Sequence, residues 1–408
     1  MAEESPDRPL TGIRVIDMTR ILAGPFCTMN LGDMGAEIIK IEQPGKGDDT
    51  RAWGPPFAGG SESGEAAYFL GVNRNKKSVT LDLKDPRGLD ILKTLIKGAD
   101  VLVENFKAGT LEKWGLTREW MEANAPQVVH TQITGYGEKG PKAGMPGYDF
   151  LLQAESGLMA ITGEEDGSSM KLGVAIVDVC TGMYAAMSIL GALNARTRTG
   201  KGQKTTITLY DSAVSVLVNV ASNYLISGEE AGRYGNGHPN IVPYRDFPCG
   251  AKGESEIALA VGNDMQFAKL AGLVGHPEWA EDDRYQTNPN RVRNRAEVDE
   301  MVREALSAKG ADEWITLFEQ EGIPCSVVNP VGDALESEQT AANRMIEEIE
   351  HPTAGLVRML GIPYRFSDTP AGVSLPPPVL GADTDAVLSD LADVSADDLA
   401  ILKKDGVI

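Results

Sequence analysis

The sequence predicts an α/β protein with a large domain built on a parallel sheet and a smaller α/β domain. Three observations carry this expectation. Short β-like runs alternate with stretches of helical period over residues 13–134, the rhythm of strands joined by crossover helices. A segment rich in Gly, Pro and Asn at 228–253 then breaks the chain. Residues 255–330 follow with a strand and helices of their own.

Element by element, Ile13 to Asp17 reads as a strand, Phe26 to Met34 as part of a helix, and Ala36 to Ile41 as a second strand. SVTLDL at 78–83 is strand-like, Pro86 to Lys97 a helix with proline in its first turn, and Val101 to Glu104 another strand. Val128 to Thr134 repeats the pattern. GPKAGMPG at 140–147 interrupts it, and helical spacing resumes from Tyr148 to Met159. A long apolar helix begins near Asp178, RTGKGQ at 198–203 is a turn, and Lys204 to Tyr210 is strand-like. Further on, Ile257 to Val261 reads as a strand and Ala296 to Ser307 as a helix. A last helix through Asp385 to Leu391 finishes the chain.

Composition narrows the function. The 408 residues are 42% hydrophobic and 24% charged, ordinary globular usage. A formal net charge of -21 argues against a nucleic-acid partner. The stretch at 71–87 opposes that sign: Arg74, Lys76, Lys77, Lys84 and Arg87 against Asp82 and Asp85. It is expected to hold an anionic small molecule. The acidic, polar start and the lack of a run of about 20 apolar residues point to a cytoplasmic protein without a membrane partner. The four widely spaced cysteines fit neither a disulfide framework nor a zinc site, and the four histidines are too scattered for a metal centre.

Gly135, Gly137 and Gly140 spell GxGxxG after a strand, but Pro141, Gly144, Pro146 and Gly147 forbid the helix that must open at once to meet a pyrophosphate. A structural turn beside a functional site is expected instead. P-loop, nucleophile-elbow and HExxH motifs do not occur. In GVAIVDVCTGMYAAMSILGAL at 173–193, Asp178 lies between an apolar run and a helix of small residues. Two readings stand together there. Asp178 caps the helix, or it is a nucleophile that the helix N-terminus keeps ionised while backbone donors meet an oxyanion.

At this point the chain resembles the family III CoA transferases, the group of formyl-CoA transferase and carnitine CoA transferase. PLTGIRVIDMTRILAGPFCTMNLGDMGAEIIKIEQPGKGD at 9–48 carries the likeness, followed in order by NRNKKSVTLDLK at 73–84, ADVLVENFKAGTLEKWG at 99–115, GYGEKGP at 135–141, VDVCTGM at 177–183, RTGKGQ at 198–203 and GADTDAVL at 381–388. The resemblance implies transfer of CoA from an acyl-CoA to a small carboxylic acid, with Asp178 forming an acyl-aspartyl anhydride and then an aspartyl-CoA thioester. CoA is then substrate, with no permanently bound cofactor and no metal.

By the same resemblance, CoA contacts fall on Leu22 and Ala23, Gln43, Leu81, Asp82, Leu83 and Lys84, Asn105, Phe106 and Lys107, Lys113 and Tyr148. Gln43 and Pro146 replace basic residues of formyl-CoA transferase, and Lys113 an arginine, so the phosphates are expected to use neighbours such as Arg51, Arg74 or Lys84. The loop RYGNGHPNIVPY at 233–244 departs from that enzyme's glycine-rich lid, which turns the expected acids from formate and oxalate to dicarboxylates such as succinate, with succinyl-CoA as donor. A Rossmann-like large domain at 1–225 and 335–408, a small domain at 226–334 and an interlocked-ring homodimer are implied too. The same family fold hosts 2-methylacyl-CoA racemases, whose histidine would fall at Tyr148, a poor base at neutral pH. A CoA-binding protein without turnover is the other alternative.

Overall fold

The computed structural model describes residues 7–60, 64–251, 253 and 255–408. Two compact units emerge, the first made of 1–156, 172–218 and 338–408, the second of 157–171 and 219–337.

In the first unit, β1 (Arg14–Met18), β2 (Glu37–Glu42), β3 (Lys76–Thr80), β4 (Val101–Glu104), β5 (Val129–Thr134) and β6 (Lys204–Thr208) form one sheet. Its order is β3-β2-β1-β4-β5-β6, parallel throughout. This is the doubly wound order, in which the chain reverses direction between β1 and β4 and opens a crevice at their C-terminal ends. Near-continuous apolar runs in β1 and β4 suit strands covered on both faces. Crossovers include α1 (Ala23–Asp33) and α2 (Pro86–Lys97), the latter capped by Asp85, which accepts from the Arg87 amide. A short helix, α3 (Asp149–Glu155), and the 24-residue α4 (Ile176–Thr199) complete this half. By length and composition α4 could cross a membrane, but half of its apolar window is buried inside the unit.

The exposed edge β3 is covered by the far end of the chain. Asp383 accepts from the Ser78 amide at 2.8 Å and Thr384 Oγ1 from the Thr80 amide at 3.0 Å, which satisfies edge groups that would otherwise template foreign strands.

In the second unit a three-stranded antiparallel sheet of β7 (Tyr244–Cys249), β8 (Ser255–Ala260) and β9 (Cys325–Val327) packs on α5 (Asp264–Leu273), α6 (Arg295–Leu306) and α7 (Ala311–Gln320). Phe247, Ile257, Phe267, Val298 and Phe318 are fully buried in its core. Back in the first unit, the hairpin of β10 (Ile346–His351) and β11 (Gly355–Leu360) leads to α8 (Thr384–Ala392) and α9 (Ala396–Lys404).

Three expectations need correction. Residues 157–171 belong to the small unit, because the Arg233 guanidinium gathers the carbonyls of Ala160, Glu164 and Gly167. The helix at 384–392 is not the last, since Ser395 caps α9 by accepting from the Asp398 amide. The strand at 78–83 is shifted to 76–80, in register with β2 from Lys76 to Thr80.

Candidate active site

The crevice at the switch point is a cavity of about 380 Å³. The loop after β1 supplies Arg20 to Ala23, the loop after β4 supplies Asn105 to Ala108, and the turn after β5 forms a third wall. That turn explains its glycines. A Cβ on Gly135 would lie 2.4 Å from the Gly147 nitrogen, so the chain leaves and re-enters the wall with its backbone in contact, which only glycine allows at both points. The GxGxxG pattern thus closes an excursion, and the next helix, α3, opens only at Asp149.

Asp178 reaches the cavity from the first turn of α4. The helix is capped by another residue. Ala175 at its start makes no side-chain cap; instead Asp149 Oδ1 accepts from the Val177 amide at 2.8 Å and the Asp178 amide at 3.4 Å. Gln153, itself buried, orients that carboxylate by donating to Oδ2 at 2.6 Å and accepts from the Leu172 amide at 2.8 Å. Asp149 satisfies orphan donors of the helix end, which leaves the Asp178 carboxylate free of capping duty.

The electrostatic consequence reverses the sequence expectation. Burial, followed by the negative charge of Asp149, pushes the Asp178 carboxyl up to about 7. The helix terminus does not hold it ionised, because the donors that would do so already serve Asp149. Tyr68 belongs to the same surroundings: burial and then the charges of Asp178, Asp149 and Asp48 raise its phenol, and Trp53 meets its ring edge-on at 5.2 Å. Neither Asp149 nor Tyr68 was singled out by sequence reasoning. The acidic residue in the first turn of α3 was a usable signal for Asp149; Tyr68 had none.

The sheet collects most of the sequence-predicted residues. Leu22, Ala23, Asn105, Phe106, Lys107, Tyr148 and Asp178 line this cavity. Gln43, Leu81, Asp82, Leu83 and Lys84 line a second one of about 170 Å³, which shares Arg20 and Phe106 with the first. Side by side they form one lined region at the C-terminal ends of β1 to β4.

Arg74 and Lys113 are not in it. The Arg74 guanidinium is buried against Asp33, donating to both carboxylate oxygens at 2.8 and 2.7 Å, and gives its remaining arm to the Leu360 carbonyl at 2.7 Å. Lys113 is exposed on a short helix outside both cavities. The basic stretch at 71–87 is dispersed as well: Lys76 and Lys77, successive residues of β3, face opposite ways, and the others lie on different elements. Lys76 is buried on Asp17 at 3.1 Å, Lys77 pairs with Glu37 and Arg87 with Asp85 and Asp405, while Lys84 faces the second cavity. Arg51 is likewise engaged, by Glu42.

Comparison with known proteins assigns the class. The CoA-transferase family III model matches residues 10–384, and the chain belongs to that family. It is 43% identical over 384 residues to the succinyl-CoA:glutarate CoA-transferase of Mus musculus, covering 94% of this chain and 86% of the relative. Identity is 40% over 392 residues to the succinate--glutarate CoA-transferase of Agrobacterium fabrum, covering 95% and 97%. Among solved structures, a CAIB/BAIF family protein from Brucella suis superposes with a TM-score of 0.82 at 40% identity, covering 94% of this chain and all of that one.

Proposed function

We propose that this enzyme transfers CoA from succinyl-CoA to a second short dicarboxylic acid, glutarate first among them, through covalent intermediates on Asp178. The observation that carries the reading is a carboxylate freed from capping, desolvated, and lining a cavity that shares Arg20 and Phe106 with a second one beside it. A carboxylate of raised pKa is the more nucleophilic for it. The names of the mouse and Agrobacterium relatives support the substrate pair.

In the proposed sequence an Asp178 oxygen attacks the thioester carbon, and the C–S bond breaks to give an anhydride and CoA thiolate. The thiolate then attacks the Asp178 carbonyl carbon and expels succinate. The acceptor carboxylate attacks the aspartyl-CoA thioester, and the released thiolate attacks the acceptor side of the new anhydride, restoring Asp178. Each tetrahedral species carries a negative oxygen. α1 starts at the cavity wall without a side-chain cap, and since Pro25 has no N–H and the Phe26 N–H is given to the Leu22 carbonyl, the donors it offers there are those of Ala23 and Gly24. The racemase alternative would need an imidazole near Asp178, and no histidine lines either cavity among the described residues.

The test combines exchange and trapping. Succinyl-CoA is offered with a panel of mono- and dicarboxylic acids, and glutaryl-CoA is the expected principal product. Hydroxylamine quenching without acceptor, followed by peptide mass spectrometry, should place the adduct on Asp178. Failure to transfer to any dicarboxylate, or an adduct on Cys180, would overturn the reading.

A further inference from the structure

The loop that partitions the two cavities is held in an unfavourable shape by residues outside its own strand. Ile21 has φ +73°, the left-handed region that a β-branched side chain avoids. Such a conformation persists only when its surroundings over-determine it, and it concentrates at functional sites. Here three successive residues are tied by their backbone groups. Lys40 Nζ, from β2, donates to the Thr19 carbonyl at 2.8 Å. The Asn105 amide brackets Arg20, accepting from its N–H at 3.0 Å and donating to its carbonyl at 2.8 Å. Asp48 Oδ1 accepts from the Ile21 amide at 3.2 Å, while Oδ2 accepts from Lys40 at 2.9 Å.

Lys40 is fully buried and Asp48 nearly so. A buried ion pair gives little net stability against an apolar pair of the same volume, and its best-attested use is to specify one conformation. This pair divides its hydrogen bonds between the loop backbone and Thr50, whose amide and hydroxyl donate to Asp48 Oδ1 at 3.0 and 2.8 Å. The start of α1 depends on the same arrangement, since a Cβ on Gly24 would meet Thr19 Cβ at 2.3 Å. Thr19 is held in turn by Asp17, which accepts from its amide at 2.9 Å.

We infer that Lys40, Asp48 and Asn105 form a clasp that locks Ile21 in the left-handed conformation, and that they are positioning residues for acyl-CoA where it crosses from one cavity to the other. The inference rests on the proposed CoA-transfer reading. It also reassigns Asn105, whose amide serves the loop on both sides. The Asp178 end of the cavity is built by α3 and α4, so the acceptor acid is not expected to feel the clasp.

Two charge-free double variants separate positioning from stability. Lys40→Met/Asp48→Asn keeps an acceptor for the Ile21 amide; Lys40→Met/Asp48→Leu does not. The first loses the Lys40 bond to the Thr19 carbonyl and should raise the KM for succinyl-CoA only about twofold to threefold, whereas the second should raise it by about tenfold, roughly 1.4 kcal/mol, with the KM for glutarate unchanged. Adding Ile21→Gly to the second should recover at least about a third of that loss on a logarithmic scale, because glycine adopts the conformation unaided. Asn105→Ala with and without Ile21→Gly repeats the rescue on an accessible side chain, should the buried variants not fold. An unchanged KM in the leucine variant, or in Asn105→Ala, or no recovery from Ile21→Gly, refutes the clasp. Native protein that neither binds CoA by calorimetry nor exchanges it refutes the CoA-transfer reading instead.

Discussion

Replacing Asp149 by asparagine separates the charge of this residue from its capping role. The Asp178 carboxyl stands at about 7 where an ordinary aspartate stands at 3.8, a difference of about three pH units or 4 kcal/mol at 1.36 kcal/mol per unit. Burial is the larger of the two causes and Asp149 the smaller, so removing the charge should lower the Asp178 pKa by about 0.5 to 1.5. The remaining carbonyl oxygen can still accept from the Val177 amide. The new amide nitrogen faces the Gln153 donor now bonded to Oδ2, a mismatch worth about 1 kcal/mol of stability. Two readouts therefore move independently. The melting temperature should fall slightly, and the acid limb of kcat/KM for succinyl-CoA, measured between about pH 5 and pH 9, should move from near 7 toward about 6. Above pH 8 the variant should be slower, since a less basic carboxylate is a weaker nucleophile. A native acid limb near pH 4, or a limb that stays put or moves upward in the variant, would refute the electrostatic argument.

Asp178→Asn should abolish turnover by three or more orders of magnitude (~10³) yet stabilise the fold at high pH. The folded pKa lies above the unfolded one, so the associated stability is present below about pH 4 and lost as pH rises through 7; denaturation at pH 5 and pH 8 should show a variant advantage that widens toward about 1–4 kcal/mol, and a gap that narrows would contradict it. Gly182→Ala should cost about 1–3 kcal/mol and most of the activity, because its Cβ would lie 2.6 Å from the Ala23 carbonyl oxygen; Gly191→Ala on the same helix, with nothing within 4 Å, is the control and should melt no lower than native. Arg74→Ala should destabilise by about 3–5 kcal/mol by leaving Asp33 buried and unpaired. Lys84→Ala should instead weaken CoA binding and flatten its salt dependence with little change in melting; calorimetry showing the reverse assignment would return the phosphates to Arg74.

The elements whose signals are local were legible before any coordinates. Pro86 in a first turn, the apolar runs of β1 and β4, and the long helix bearing Asp178 all lie within windows of a few residues, where period and capping chemistry decide the outcome. Asp178 stood out because it is one carboxylate beside an apolar run. What pairs with what was decided by the sheet order. Arg74 and Lys76 looked like phosphate ligands because charge is usually solvated, but the turn before β3 and the first residue of β3 direct them inward onto Asp33, 41 residues away, and Asp17, 59 away. Asp149 became the cap of α4 from 28 residues upstream, and burial of Asp178, followed by that nearby charge, reversed the expected sign of the Asp178 pKa. Local periodicity records which face of a strand or helix is apolar. It carries no record of which distant charge will stand a few ångströms from a given carboxyl, and an ionisation equilibrium in a low-dielectric site depends on that distance.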